Sequence, residues 1–177
     1  REWGMEQLMR DSRITQLYEG TNGIQALDLV RRKLLGDGGA ELNALIEEFA
    51  RHVDAAGEYV ELQPMAAAVA RRLEEWRALG TTIIEVCRNE PEEIGAVAVD
   101  FLAYSAYVLL AGFWLQAALR ASIDLANDSG ETAFYQAKRQ AADFYWRRVL
   151  PRATAHREAL LGGAECLMAM PASDFAC

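Results

Sequence analysis

Apolar side chains recur every three or four residues along most of the chain, which is the spacing of amphipathic helices. The clearest run places its apolar side chains on one helical face and comprises Leu42, Leu45, Ile46, Phe49 and Val53. Similar faces extend over Val69–Cys87, from about Pro91 to Asp128, and from Phe134 past Pro151 to Gly162. Pro151 should kink this last helix. No sustained alternation of apolar and polar residues predicts a strand, so we predict an all-α fold.

A glycine cluster divides the pattern into two units. Gly36-Asp37-Gly38-Gly39 predicts a flexible joint, and we place a domain boundary there. Residues 1–37 should contain a short helix that ends near Arg13 and a second helix from about Gly23 to Leu35. Residues 38–177 should form an antiparallel bundle of four main helices with its own core.

The third of these main helices is unusually apolar. Phe101–Leu119 contains 19 residues without a formal charge, and a helix of that length reaches about 29 Å, enough to consider a membrane span. The stretch also contains Tyr104, Ser105 and Gln116, and amphipathic helices flank it. A helix that is apolar all round is also what the centre of a bundle or a subunit interface requires. We therefore predict a buried helix and no membrane span.

Composition narrows the class of protein further. With 18 Lys and Arg against 26 Asp and Glu, the net charge is −8, which disfavours nucleic-acid binding because phosphate backbones repel an acidic chain. Cys87, Cys166 and Cys177 lie far apart, so neither a disulfide framework nor a zinc site is expected. Reduced cysteines and the lack of a signal peptide predict a cytoplasmic protein. The start at Arg1, inside a helical pattern, is typical of a fragment of a longer protein.

Most charged clusters have an ordinary interpretation. His52 and His156 are single histidines on charged faces, where a solvated surface position is expected and no metal site is predicted. Arg31-Arg32-Lys33 and Arg147-Arg148 are expected at solvated helix ends, where cations also suit the helix dipole. A role for the first of these clusters in holding an anion is a weaker alternative.

The loop before the second helix is a stronger candidate for a site. Asn22 is placed to N-cap that helix, and Gln25 follows three residues later as in a capping box. Gly20 and Gly23 permit tight backbone geometry or the close approach of a ligand. A helix N-terminus supplies unpaired N–H groups that suit a pyrophosphate. Glu19 stands just before this helix end, although a glutamate in a polar turn is usually only solvated.

A contiguous run of about thirty residues carries a family resemblance. It begins with Arg10-Asp11-Ser12-Arg13-Ile14 and continues as RITQLYEGTNGIQALDL, from Arg13 to Leu29, with Glu2-Trp3 and Met5-Glu6-Gln7 upstream. This run resembles the C-terminal signature of flavin-dependent acyl-CoA dehydrogenases. The rest of the chain, including its tail Leu167–Pro171, resembles the helical domain appended in long bacterial-type members of that family.

The resemblance implies a reaction and a set of residues. Members of the family oxidise an acyl-CoA thioester to the trans-2-enoyl-CoA, with a glutamate as the base that removes the α-proton and FAD as the hydride acceptor. By this resemblance Glu19 is the catalytic base and Gly20 lies against the substrate. Thr21, Asn22 and Gly23 would contact FAD, and no metal is implied.

The resemblance also implies partners and leaves an alternative. Acyl-CoA is the expected substrate, electron-transferring flavoprotein the expected electron acceptor, and a homo-oligomer the expected assembly in fatty acid β-oxidation. The parts of the family pattern that form the flavin site would precede Arg1, so the fragment alone should bind no flavin and be inactive, with Glu19 exposed or misplaced. The alternative is a non-catalytic helical module for oligomerisation or interaction, acting through the apolar third helix and Trp114.

Overall fold

The structure, a computed structural model, describes residues 4–17, 21–127 and 130–175. In these ranges the chain forms helices and no strand, which confirms the all-α prediction. The α-helices in chain order are α1 Glu6–Arg13, α2 Thr21–Asp28, α3 Leu35–Asp37, α4 Ala40–Gly57, α5 Gln63–Asn89, α6 Glu93–Ala126, α7 Thr132–Phe144, α8 Ala153–Leu161 and α9 Glu165–Met168. Short 3-10 turns span Ile14–Gln16, Leu150–Arg152 and Ala172–Phe175, and π-helical turns span Leu29–Leu34 and Tyr145–Val149.

The four predicted main helices correspond to α4, α5, α6 and the α7–α8 pair. Between α7 and α8 the α-helical pattern gives way to a π turn and then a 3-10 turn around Pro151. Proline has no N–H group, so the carbonyl of Arg147 loses its usual partner four residues on, and the helix changes its hydrogen-bonding pattern there. The predicted interruption at Pro151 is thus observed, and it spans Tyr145–Arg152.

Helix α6 lies at the centre of the bundle. It packs against α2, α4, α5, α7 and α8, and its buried side chains include Phe101, Tyr104 and Leu115. The helix has 34 residues, and an 18-residue window within it has a mean hydropathy of 1.8, so by length and composition it could also cross a membrane. Helices pack on it from several sides and 39% of that window is buried, so the core of the bundle accounts for part of its apolar composition.

A hydrogen-bonded network ties three of the helices together. The Tyr104 hydroxyl on α6 lies 3.0 Å from Glu75 Oε2 and 3.2 Å from the Arg72 carbonyl oxygen, both on α5. The Arg72 guanidinium also donates to Thr154 Oγ1 on α8 at 2.7 Å. Buried polar groups cost free energy when they lack partners, so these contacts allow Arg72 and Tyr104 to be buried in the core.

Two buried tyrosines should make the fold sensitive to alkali. Burial, reinforced by the Glu75 carboxylate, raises the pKa of Tyr104, and burial raises the pKa of Tyr145 to about 12. A tyrosine whose pKa is higher in the folded chain than in the unfolded chain stabilises the fold while it is neutral. This contribution is complete below the ordinary tyrosine pKa near 10, and it is lost as the pH rises through the pKa in the folded chain. We expect helicity to fall as the pH passes about 12, measured by circular dichroism together with tyrosinate absorbance. Ionisation of every tyrosine near pH 10 with helicity intact would contradict this.

The glycine cluster at the predicted boundary contains a turn held by hydrogen bonds to Asp37, and the predicted flexibility of the joint stays a prediction. The Asp37 carboxylate accepts hydrogen bonds from the N–H groups of Gly39 at 2.8 Å and Glu41 at 2.7 Å. The N–H of Glu41 is also the main reason that the pKa of Asp37 is lowered. Gly38 and Gly39 have φ of 67° and 84°, which favours glycine. The division into residues 1–37 and 38–177 stays a prediction.

Candidate functional site

The candidate site lies at the amino end of α2. Thr21, Asn22 and Gly23 form the first turn of that helix, whereas Glu19 and Gly20 lie outside the described residues. The helix begins at Thr21, two residues before the predicted start. The prediction that Asn22 caps the helix is therefore wrong, because Asn22 already belongs to its first turn.

Helix α2 is anchored by its second half and by the π turn Leu29–Leu34 that continues it. Ala26 and Val30, four residues apart and therefore on one face, are fully buried in the core that α6 organises. The side chains from Thr21 to Gln25 are exposed, and Ile24 has 67% of its surface accessible. The bundle thus holds the helix while its amino end projects beyond the packed core.

This exposed turn has room for a ligand against its backbone. The first N–H groups of a helix have no partner within the helix, and the dipole is positive at this end. A methyl group placed on Gly23 would meet no atom within 4 Å, so the space beside the backbone is open. The turn can therefore accept an anionic or hydrogen-bond-accepting group, and the contact of Thr21, Asn22 and Gly23 with FAD stays a prediction.

Two of the three cations in the basic cluster Arg31–Lys33, on the π turn after α2, lie near carboxylates. Arg32 donates to both carboxylate oxygens of Asp28, at 2.6 Å and 2.8 Å, and this hydrogen bond lowers the pKa of Asp28. Lys33 lies 4.0 Å from Glu41, and Arg31 is exposed. Two of the three cations thus have carboxylate partners, which agrees with the prediction of a solvated helix face.

Both histidines are more enclosed than predicted. His156 Nδ1 lies 2.8 Å from Asp100 Oδ1, and its ring stacks on Tyr107 with 5.7 Å between the ring centres. His52 Nε2 lies 3.1 Å from the side-chain nitrogen of Gln116. Both side chains keep part of their surface exposed, at 25% for His52 and 32% for His156, so the predicted surface positions hold, and helices far apart in the sequence supply the partners. Among the described residues, no group of three or more His, Cys, Asp or Glu side chains could hold a metal ion.

The segment before the candidate site exposes apolar side chains. None of the residues of α1 is buried. The exposed large apolar side chains of this segment are Met5, Leu8, Met9, Ile14 and Leu17. Several large apolar side chains exposed within one short segment are typical of an interaction site. Trp114, the aromatic residue of the alternative hypothesis, is half-buried, with its ring centre 6.3 Å from that of Tyr145.

Comparison with known proteins gives a consistent set of relatives. Residues 40–171 match a family described as acetyl-CoA dehydrogenase C-terminal like. The chain is 33% identical over 172 residues to a 3-methylmercaptopropionyl-CoA dehydrogenase of Ruegeria pomeroyi, which covers 94% of the chain and 28% of the relative. It is 29% identical over 168 residues to the broad-specificity linear acyl-CoA dehydrogenase FadE5 of Mycobacterium tuberculosis. This alignment covers 90% of the chain and 27% of that relative. The chain therefore spans about a quarter of the length of these curated relatives.

Proposed function

Because the chain belongs to the acetyl-CoA dehydrogenase C-terminal-like family, we propose that it is the C-terminal part of an acyl-CoA dehydrogenase. The proposed reaction is the FAD-dependent oxidation of an acyl-CoA thioester to the trans-2-enoyl-CoA. The observation that carries this proposal is the alignment of 94% of the chain with a relative named as an acyl-CoA-type dehydrogenase. The acyl group of the substrate is left open, since the relatives differ in the substrates that their names give.

In this proposal Glu19 removes the α-proton of the thioester, so that the proton passes to the carboxylate as the Cα–H bond breaks. An enclosed carboxylate loses hydration, which raises its pKa toward the value that a general base needs. FAD supplies the acceptor for the hydride when it is bound. Gly20 would lie against the substrate, and the N–H groups and side chains of Thr21, Asn22 and Gly23 would hold the cofactor at the open first turn of α2.

The bundle has a positioning role in this proposal. Ala26 and Val30 fix α2 to the core, so the bundle holds the helix whose amino end carries the cofactor contacts. The apolar side chains that α1 exposes would then pack against the preceding part of the longer protein. A stripe on α6, with Val99, Leu110 and Phe113 each about half exposed, supports a homo-oligomer.

We also propose electron-transferring flavoprotein as the electron acceptor.

The test uses the longer polypeptide that carries this chain, purified with FAD and mixed anaerobically with acyl-CoA thioesters of different chain length. We expect the oxidised flavin absorbance to bleach with at least one thioester, because two-electron reduction removes that absorbance. The chain of 177 residues, mixed with FAD under the same conditions, serves as the control and should retain no flavin. If the flavin of the longer protein stayed oxidised with every thioester, the proposed reaction would be wrong.

A further inference from the structure

A groove with no role in the proposed reaction lies between the amino half of α5 and the turns that join α7 to α8. Its volume is about 440 Å³, and four arginines line it together with Trp146: Arg71, Arg72, Arg147 and Arg148. Among the described residues, no acidic side chain lines this groove. Such a concentration of positive charge is unexpected in a chain whose net charge is −8.

The local backbone explains how the arginines converge. Arg71 and Arg72 are consecutive on α5, whereas Arg147 and Arg148 lie on the π turn Tyr145–Val149 that precedes Pro151. The π turn widens the helix at this point and presents both arginines and Trp146 beside α5. π-Helical turns are rare in proteins overall, but where they occur they are often found at functional sites. The interpretation of Arg147-Arg148 as a solvated helix end is incomplete, since these residues form one wall of the groove.

Two of the four guanidinium groups are neutralised and held in place. Arg72 pairs with Glu75 and donates to Thr154. Arg147 donates to Asp143 at 2.7 Å and lies over the Trp146 ring, 4.6 Å from its centre. Arg72 is buried and its contacts position it firmly, whereas the pair of Arg147 with Asp143 is exposed.

The other two guanidinium groups have no carboxylate partner among the described residues, so their positive charge can act on a ligand. Neither Arg71 nor Arg148 has an ion pair with a carboxylate of the described residues. Arg71 also borders a neighbouring groove that Asp54 and Glu74 line, so Arg148 is the less compensated of the two. The groove therefore carries about two uncompensated positive charges beside two fixed arginines.

We propose that this groove binds the phosphate of a small organic molecule or of a free phosphoanion. A guanidinium group presents paired N–H donors that match two phosphate oxygens, and such charge-assisted hydrogen bonds are the stronger ones in proteins. A diphosphate or a doubly ionised phosphomonoester matches the uncompensated charge of Arg71 and Arg148. The overall negative charge of the chain disfavours a nucleic acid as the source of that phosphate.

The test is calorimetric titration of the 177-residue chain at low ionic strength with inorganic pyrophosphate and, separately, with ADP. We expect saturable binding that weakens about tenfold in Arg148→Gln, the loss of one charge-assisted contact, and less in Arg71→Gln. Arg88→Gln is the matched control, because Arg88 is also exposed on α5 and has no carboxylate partner among the described residues. Its affinity should stay within about twofold of the parent chain.

The outcomes separate the two sources of the phosphate. Tighter binding of ADP than of pyrophosphate would support a nucleotide-borne phosphate that also contacts Trp146, and equal affinities would support a free anion. Binding that does not saturate, or that weakens equally in Arg88→Gln and Arg148→Gln, would overturn the proposal. Circular dichroism of each variant checks that the fold is unchanged. None of the residues at the amino end of α2 lines the groove, so failure here leaves the proposed dehydrogenase function intact.

Discussion

Replacing Gly112 by alanine is expected to destabilise the bundle by about 3 kcal/mol, the upper part of the range for an overpacked core. A methyl group on Gly112 would lie 2.5 Å from two carbons of the Phe49 ring, far closer than the usual separation of about 3.5–4.0 Å. Phe49 is only 3% exposed, and its ring packs edge-on against Phe113 with 5.4 Å between centres. Because the ring is buried, moving it away from the added methyl group should disturb the packing of α4 on α6.

A second glycine on the same helix provides the matched control. A methyl group on Gly95 would meet no atom within 4 Å, so Gly95→Ala should leave stability unchanged or raise it by up to about 1 kcal/mol through helix propensity. Urea unfolding followed by circular dichroism measures both variants. Adding Phe49→Leu to Gly112→Ala should recover part of the loss, because the double variant relieves the clash. Equal effects of the two glycine substitutions would show that α4 and α6 are not in close contact at Gly112.

The main helices were predictable because their signal is local. The apolar residues from Leu42 to Val53 repeat within one segment, and α4 spans them. The close approach at Gly112 was not predictable, since it depends on Phe49 in a different helix. The glycines at Gly36–Gly39 suggested flexibility, but the hydrogen bonds that Asp37 accepts in the turn have no equally clear sequence signal.

The difference between a local sequence signal and a contact between distant helices applies also to candidate functional sites. The candidate site from Glu19 to Gly23 could be proposed from the sequence because its residues are consecutive, so that one contiguous motif contains them all. The arginine groove combines α5 with the turns after α7, and His156 meets Asp100 across two helices. Nothing in the spacing of these residues reveals the contacts, because they arise only when separate helices pack together. Sequence reasoning therefore finds sites on continuous segments and misses those that tertiary packing assembles.

In the longer FAD-loaded protein, Glu19→Gln is expected to slow flavin bleaching by acyl-CoA about 10³-fold, within the range that general-base catalysis contributes. Glutamine has nearly the same shape and still forms hydrogen bonds, but it cannot take up the α-proton at ordinary pH. FAD content and acyl-CoA binding should therefore stay close to the parent values, and only the rate of flavin reduction, followed by anaerobic stopped-flow absorbance, should fall.

The control for this substitution is Glu58→Gln, which removes the same carboxylate from an exposed position after α4. It should bleach at the parent rate, which separates the loss of a base from the loss of one negative charge. If Glu19→Gln also bleached at the parent rate, the base would lie elsewhere and the assignment of Glu19 would fail. The family membership would stand in that case, because it rests on residues 40–171. The proposed cofactor contact of Thr21, Asn22 and Gly23 would not be affected, since holding a cofactor needs no proton transfer.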